Sequence, residues 1–150
     1  AEESGVDGIL LVDMPPEEAK DLDAVLKQHD MDQIFLLAPT STDERIQHVV
    51  KQASGFIYYV SLKGVTGAAT LDTAEAAARI AKIKTHTHVP VGVGFGISDA
   101  ASAKAMGQVA DAVIVGSALV KPFATLAIDQ AVDQTVNKIK ELRAALDELV

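Results

Sequence analysis

The sequence predicts an α/β fold in which five parallel strands alternate with helices. Five short apolar runs have strand length, and a segment that can form a helix follows each of them. The runs are Gly8–Asp13, Gln33–Leu37, Gly55–Ser61, Val91–Phe95 and Ala112–Val115. Strand–helix–strand alternation gives parallel pairing with right-handed crossovers. The pattern fits both a complete five-stranded doubly wound sheet and the last five units of a (β/α)8 barrel.

Caps and apolar spacing predict the helices between these runs. Helices are expected over Glu17–His29, from the caps at 40–44 to near Gly55, from Thr70 or Asp72 to Lys84, over Ser98–Met106, and from Ile128 to Leu149. A short helix is also expected up to Lys121, broken by Pro122. The long last helix carries its apolar residues on one stripe. These residues are Val132, Val136, Ile139, Leu142 and Leu146.

Composition narrows the class of protein. The chain has 150 residues, which is enough for one domain, residues 1–150, with a core of its own. Its 13 Lys and Arg against 21 Asp and Glu give a net charge of −8, and no basic stripe favours nucleic acid or an anionic membrane. Without cysteine there is no disulfide framework and no thiolate zinc site. No apolar run is long enough to span a membrane, and the N-terminus lacks signal-peptide features, so a cytoplasmic protein is expected.

Two glycine-rich steps close the last two predicted strands. Gly94 and Gly96 follow the first, Gly116 follows the second, and a hydroxyl residue comes after each step, Ser98 and Ser117. Glycine lets the backbone approach a ligand, and a helix that opens there directs N–H groups at an anion. The sequence therefore predicts a phosphate site, against the alternative of two buried strands with ordinary glycine turns.

Other motifs are weaker. Gly92, Gly94 and Gly96 fail the dinucleotide pattern because Ile97 stands in the place of its last glycine and the motif is not in the first βα unit. His86 and His88 lack a third ligand close in sequence, so no metal site is predicted. Asp13 is equally an active-site acid or the cap of the following helix. Tyr58, taken alone, is more typical of a core strand.

The residues together resemble a known family. L-L-V-D-M-P at 10–15, Y-Y-V-S-x-x-G-V-T-G at 58–67, G-F-G-I-S at 94–98 and V-G-S-A-L-V-K at 115–121 occur in this order. They are similar to the C-terminal part of tryptophan synthase α subunits, which are indole-3-glycerol-phosphate lyases on a TIM barrel. The resemblance implies that the strands here are barrel strands four to eight. It also implies that the two catalytic carboxylates, a Glu and an Asp, lie outside this chain, so no catalytic residue is assigned.

The resemblance implies roles for residues of the binding half. Gly67, Gly96, Gly116 and Ser117 would form the phosphate cradle. Tyr58 would reach the substrate, Thr66 would order the catalytic Asp, and Phe95, Leu36 and Ile114 would form the indole pocket. Asp13, Met14 and Pro15 would meet the β subunit, which holds pyridoxal phosphate, so this chain needs no cofactor. Leu62 and Lys63 stand where some members have Arg-Ser, in a long loop with two glycines that is expected to be mobile over the site.

Several alternatives remain open on the sequence. Another phosphate-binding barrel, such as a phosphoribosylanthranilate isomerase or a ribulose-phosphate epimerase, shares the late Gly-Ser loops but not the G-V-T-G loop. A receiver-like module would need paired acids after the first strand, where only Asp13 is present. An engineered or truncated partial barrel, inactive alone and prone to self-association through its open edges, is also compatible with the sequence.

Overall fold

The computed structural model describes residues 1–61, 73–94 and 96–149, and within them five strands form one parallel sheet. The strands are β1 (Gly8–Leu10), β2 (Asp32–Leu37), β3 (Ile57–Val60), β4 (Val91–Gly94) and β5 (Ala112–Ile114). They lie side by side in chain order, from β1 to β5. A doubly wound sheet instead reverses direction at an inner strand. The observed order is that of consecutive barrel units, so the prediction of a partial barrel is confirmed.

Helices follow the strands as predicted, with shifted ends. They are α1 (Lys20–Gln28), α2 (Asp43–Gln52), α3 (Thr73–Lys84), α4 (Ala100–Gly107), α5 (Ser117–Val120) and α6 (Ile128–Asp147). The first helix begins later than expected because residues Pro16–Glu18 form a separate 3-10 turn. Pro122 does not stop the helical path either, since Lys121–Ala124 continues as a 3-10 turn in which Pro122 takes an early position that needs no N–H.

The core lies between one face of the sheet and the helices. Alternate strand residues point to this face, and helix residues with helical spacing meet them. The strand residues are Phe35, Leu37, Ile57, Tyr59, Val91 and Val93, and the helix residues include Ile46, Val49, Ile80, Ile83, Ala103, Met106 and Leu142. Truncating one of these large side chains to alanine typically costs about 2–5 kcal/mol. The core therefore fixes the register of the strands.

The opposite face of the sheet carries the intervening residues. Leu36, Tyr58 and Gly92 are matched across β2, β3 and β4, and Gly94 is matched with Ile114 across β4 and β5. A Cβ atom at Gly92 would lie 3.0 Å from Cδ1 of Ile114. At Gly94 it would overlap the hydroxyl oxygen of Tyr58 and lie 2.7 Å from its ring carbon Cζ. The two glycines thus make room for the larger side chains of the neighbouring strands.

The apolar stripe predicted on α6 is only partly in the core. Leu142 is buried, but Val132, Val136 and Ile139 are each more than 40% exposed. The buried residues of α6 also include Ala131 and Ala145, and the helix packs against α4. Residues 120–128, at and before the start of α6, also carry exposed apolar side chains. We call these residues and the exposed apolar residues of α6 the α6 apolar surface. Its members are Val120, Phe123, Leu126, Ile128, Val132, Val136 and Ile139.

We expect the α6 apolar surface and the unpaired edges of β1 and β5 to promote self-association, since exposed apolar patches and open edges favour contact between chains. Sedimentation at rising protein concentration should show a dimer or a higher oligomer. Replacing both Val132 and Val136, one turn apart, by lysine should shift the equilibrium towards the monomer. A wild-type chain that stays monomeric at high concentration would contradict this expectation.

Asp111 joins three elements at the amino-terminal edge of the sheet. One carboxylate oxygen accepts a hydrogen bond from the Val91 N–H at 2.8 Å, and the other accepts from Lys84 Nζ at 2.7 Å. Burial alone would raise the pKa of Asp111, but the Lys84 ammonium and the Val91 N–H outweigh burial and lower this pKa below its ordinary value of 3.8. Because the folded-state pKa of Asp111 is depressed, its carboxylate contributes fully to stability at pH values above the ordinary pKa of 3.8. The contribution is lost as the pH falls through the folded-state pKa.

Asp111→Ala should lower the free energy of unfolding at pH 7 by about 2 kcal/mol, because it removes the acceptor of a backbone N–H and of an ammonium group. Asp111→Asn keeps an oxygen for the Val91 N–H and should cost less. Urea unfolding measures both values. The difference between wild type and Asp111→Asn should shrink below about pH 4, and a difference that stays constant with pH would show that the charge contributes nothing.

Candidate phosphate-binding pocket

A small pocket lies at the carboxyl ends of β3, β4 and β5. Its volume is about 100 Å³. It is lined by Tyr58, Gly96, Ile97, Ile114, Gly116 and Ser117. Five of these six residues were predicted for the site from the sequence. They meet because the strands run parallel, so their carboxyl ends, and the loops that follow, share one edge of the sheet.

Two glycines shape the backbone of the pocket. Gly96 has φ +76°, a left-handed conformation that glycine adopts without steric cost and that turns the chain after β4. Gly116 precedes the first residue of α5, and a Cβ atom built on it meets none of the described residues within 4 Å. Packing among these residues therefore does not require glycine at position 116. The missing side chain leaves space beside the pocket that a ligand can fill.

The amino terminus of α4 is closed by its own residues. The Asp99 carboxylate accepts from the Ser102 N–H at 2.8 Å, and the Ser102 hydroxyl accepts from the N–H groups of Asp99 and Ser98. The Ser102 backbone N–H, then its side chain, hold the pKa of Asp99 below its ordinary value. A carboxylate thus already occupies the place where an anion would bind. The Ser98 N–H is not available to a ligand either, because it donates to the Ser102 hydroxyl at 3.3 Å.

The start of α5 is different. Gly116 has no side chain to cap the helix, and its carbonyl accepts from the N–H groups of Leu119 and Val120 at 2.9 and 3.2 Å. Ser117, the first residue of the helix, is exposed and lines the pocket. An N–H group in the first turn of a helix has no partner within that helix. Of the two glycine steps, the one before α5 is therefore the one that offers donors to a ligand.

Apolar and aromatic side chains form the rest of the wall. Tyr58 packs over Gly94, and burial raises the pKa of its hydroxyl, so the group stays protonated at neutral pH and can donate a hydrogen bond. Ile114 stands beside Gly92 on the same face. Ile97 is 5% exposed and was not predicted to be part of the site. Its place directly after a glycine that turns the chain into the pocket was the available signal.

Other predicted site residues fall elsewhere. Leu36 lies beside Tyr58 on the same face but lines a neighbouring cavity, together with residues 40–42, Arg45 and Val60. Its role in an indole pocket stays a prediction. Thr66, Gly67 and Phe95 lie outside the described residues.

The residues predicted to meet a partner follow β1. Asp13 is exposed, and Met14 packs partly against the core. The interpretation of Asp13 as a helix cap is wrong, because Pro15 precedes the 3-10 turn and Ala19 precedes α1. Asp13 is therefore an exposed carboxylate at the carboxyl edge of the sheet, with no capping role.

The described residues hold neither a metal cluster nor a membrane-spanning helix. Among them, no three His, Cys, Asp or Glu side chains stand close enough to hold a metal ion. None of their helices combines the length and the apolar character needed to cross a membrane.

Comparison with known proteins identifies the family. Residues 1–149 match the sequence model of the tryptophan synthase alpha chain. The chain is similar to the tryptophan synthase alpha chain of Acinetobacter baylyi, with 88% identity over 150 residues, which are 100% of this chain and 56% of that protein. The corresponding chain of Acinetobacter baumannii (strain ATCC 17978) is 83% identical over 150 residues, again 100% of this chain and 56% of that protein.

Solved structures agree with the sequence comparison. A structure of Mycobacterium tuberculosis tryptophan synthase matches with a TM-score of 0.82 and 36% identity, over 97% of this chain and 53% of that chain. The chain thus spans about half the length of the curated relatives it matches. The matches give no support to the isomerase, epimerase or receiver-like alternatives. The chain belongs to the tryptophan synthase alpha chain family.

Proposed function

We propose that this chain forms the phosphate- and indole-binding half of a lyase that cleaves indole-3-glycerol phosphate into indole and glyceraldehyde 3-phosphate. The observation that carries the proposal is the pocket in which Tyr58, Gly96, Ile114, Gly116 and Ser117 meet. The family membership supplies the reaction class, and the pocket supplies a place for the substrate. No observation favours a second function.

The phosphate group would bind at the α5 side of the pocket. Backbone N–H groups at Gly116 and Ser117 and the Ser117 hydroxyl are the proposed donors, with the turn at Gly96 completing the cradle. The ionised Asp99 keeps the α4 side unfavourable for an anion. Neither glycine step contains an arginine, so binding would depend on backbone approach rather than on a side-chain charge.

The indole end would lie against the apolar wall, near Tyr58 and Ile114, with Phe95 and Leu36 added in our proposal. Cleavage breaks the bond between the indole ring and the glycerol chain. One proton goes to the ring carbon and one leaves the neighbouring hydroxyl, which becomes the aldehyde. Those transfers need an acid and a base. We assign neither to this chain, so the residues here bind and orient the substrate.

The assembly is part of the same proposal. Asp13, Met14 and Pro15 would contact a β subunit that carries pyridoxal phosphate, and Thr66 and Gly67 would act from the loop after β3. The exposure of Asp13 beside the partly buried Met14 supports a contact at this edge. Residues 1–150 would be one portion of a (β/α)8 barrel, and the cytoplasmic location stays a prediction.

Inorganic phosphate should bind weakly and shift the amide resonances of Gly96 and Gly116. Ser117→Ala should weaken binding about tenfold, the loss expected for a hydrogen bond to a charged group. Gly116→Val should weaken it more, because a branched side chain would fill the anion's space. Titration followed by amide chemical shifts measures all three affinities.

The Gly116 substitution has a built-in control. Because a Cβ atom at position 116 meets no atom in the part of the chain that the structure describes, Gly116→Ala should leave the urea midpoint close to that of the wild type while phosphate affinity falls. If the amides of Gly96 and Gly116 stay in place while others move, the cradle has been placed wrongly.

The purified 150-residue chain should not release indole from indole-3-glycerol phosphate, because no residue in it matches the catalytic carboxylates of the family. Loss of a general acid and base typically removes several orders of magnitude in rate. A coupled assay for glyceraldehyde 3-phosphate measures the rate, with the full-length relative from Acinetobacter baylyi as the positive control. Turnover comparable to that control would refute the assignment.

A further inference from the structure

The short helix α5 carries the proposed phosphate donors but has little stability of its own. It is one turn of four residues, Ser117–Val120. A single turn fixes several dihedral angles for very few hydrogen bonds, so such a helix depends on contacts with its surroundings. The contacts that hold α5 therefore decide where Ser117 points.

One contact of α5 is apolar. The side chain of Leu119 is partly buried against the core. It lines a cleft of about 340 Å³ with Val113, Val115, Ile139 and Leu142. Apolar contacts have little directional preference, and the cleft leaves free volume beside the leucine. The leucine attaches the helix to β5 and α6 without fixing its rotation.

A second contact of α5 is directional. The Thr135 hydroxyl, in the middle of α6, donates to the Leu119 carbonyl at 3.1 Å. Thr135 is partly buried, and its bond reaches 16 residues back along the chain. A threonine within a helix often bonds to a carbonyl of its own preceding turn. Here the hydroxyl instead donates to the Leu119 carbonyl, one of the carbonyl groups at the end of α5 that lack partners within that helix.

We propose that Thr135 is a positioning residue for the phosphate side of the pocket, an inference that rests on the proposed function. Peptide groups are planar, and only one residue, Ala118, separates Ser117 from Leu119. A hydrogen bond that fixes the Leu119 carbonyl therefore also fixes the rotation of the turn that begins at Ser117. Thr135 touches no ligand itself and acts through α5.

The test compares two substitutions in the full chain. Thr135→Val has nearly the same shape and lacks the hydroxyl, whereas Thr135→Ser keeps the hydroxyl. Inorganic phosphate is the probe, and the amide of Gly116 reports binding. Thr135→Val should bind phosphate about fivefold more weakly, the factor that corresponds to about 1 kcal/mol for one hydrogen bond. Thr135→Ser should bind about as tightly as the wild type.

A matched control separates positioning from general destabilisation. The Ser54 hydroxyl accepts from the Gln33 N–H at 3.0 Å, at the amino-terminal edge of the sheet and away from the pocket. Ser54→Ala also removes one hydroxyl that bonds to the backbone. It should lower the urea midpoint and leave phosphate affinity unchanged.

Each result has one meaning. If Thr135→Val fails to fold, Thr135→Ala takes its place in the test, with the same expected loss of phosphate affinity. Wild-type affinity in the variant that lacks the hydroxyl, or equal weakening in Ser54→Ala, overturns the inference while the proposed phosphate site stands. A wild-type chain whose Gly96 and Gly116 amides do not respond to phosphate overturns the proposed function, and this inference with it.

Discussion

The ring of Tyr58 occupies the space that any side chain at position 94 would need, because a Cβ atom there would lie 2.7 Å from the ring carbon Cζ. This contact couples β3 to β4 on the face of the sheet that carries the pocket. It places the tyrosine hydroxyl at the carboxyl end of the sheet, beside the turn at Gly96. The Ser61 N–H and hydroxyl both donate to the Gly94 carbonyl, at 3.0 and 2.9 Å, and hold the same strand end in place. The position of Tyr58 in the pocket therefore depends on glycine at position 94.

The two glycine steps look alike in sequence and differ in electrostatics. After Gly96 the chain enters α4 through a reciprocal cap, and Asp99 places a negative charge at the start of that helix. After Gly116 the chain enters α5 without a side-chain cap. A helix start that is already satisfied by a carboxylate has little to offer a phosphate group, whereas an uncapped one has free N–H groups. The proposed phosphate site is therefore one-sided, because Asp99 closes the α4 side.

Sequence reasoning predicted the strands and most of the pocket because both depend on local signals. Parallel strands bring their carboxyl ends together whatever their side chains are, so Tyr58, Gly96, Ile114, Gly116 and Ser117 could be grouped from the strand assignment and the family resemblance. The cap at the start of α4 was missed, although Asp99 followed three residues later by Ser102 is a cap signal. The apolar stripe predicted on α6 lies only partly in the core for another reason. Helical spacing identifies the apolar side of a helix but not the neighbour it meets, and buried alanines such as Ala131 and Ala145 give a weak signal.

The central claim is that backbone groups at the start of α5, rather than side-chain cations, bind the phosphate group. A crystal structure of the protein soaked with glyceraldehyde 3-phosphate tests it most directly. The account predicts phosphate oxygens within hydrogen-bond distance of the backbone nitrogen and the hydroxyl of Ser117, with the turn at Gly96 in contact. Phosphate bound instead in the neighbouring cavity beside Arg45, with the start of α5 empty, would contradict the account.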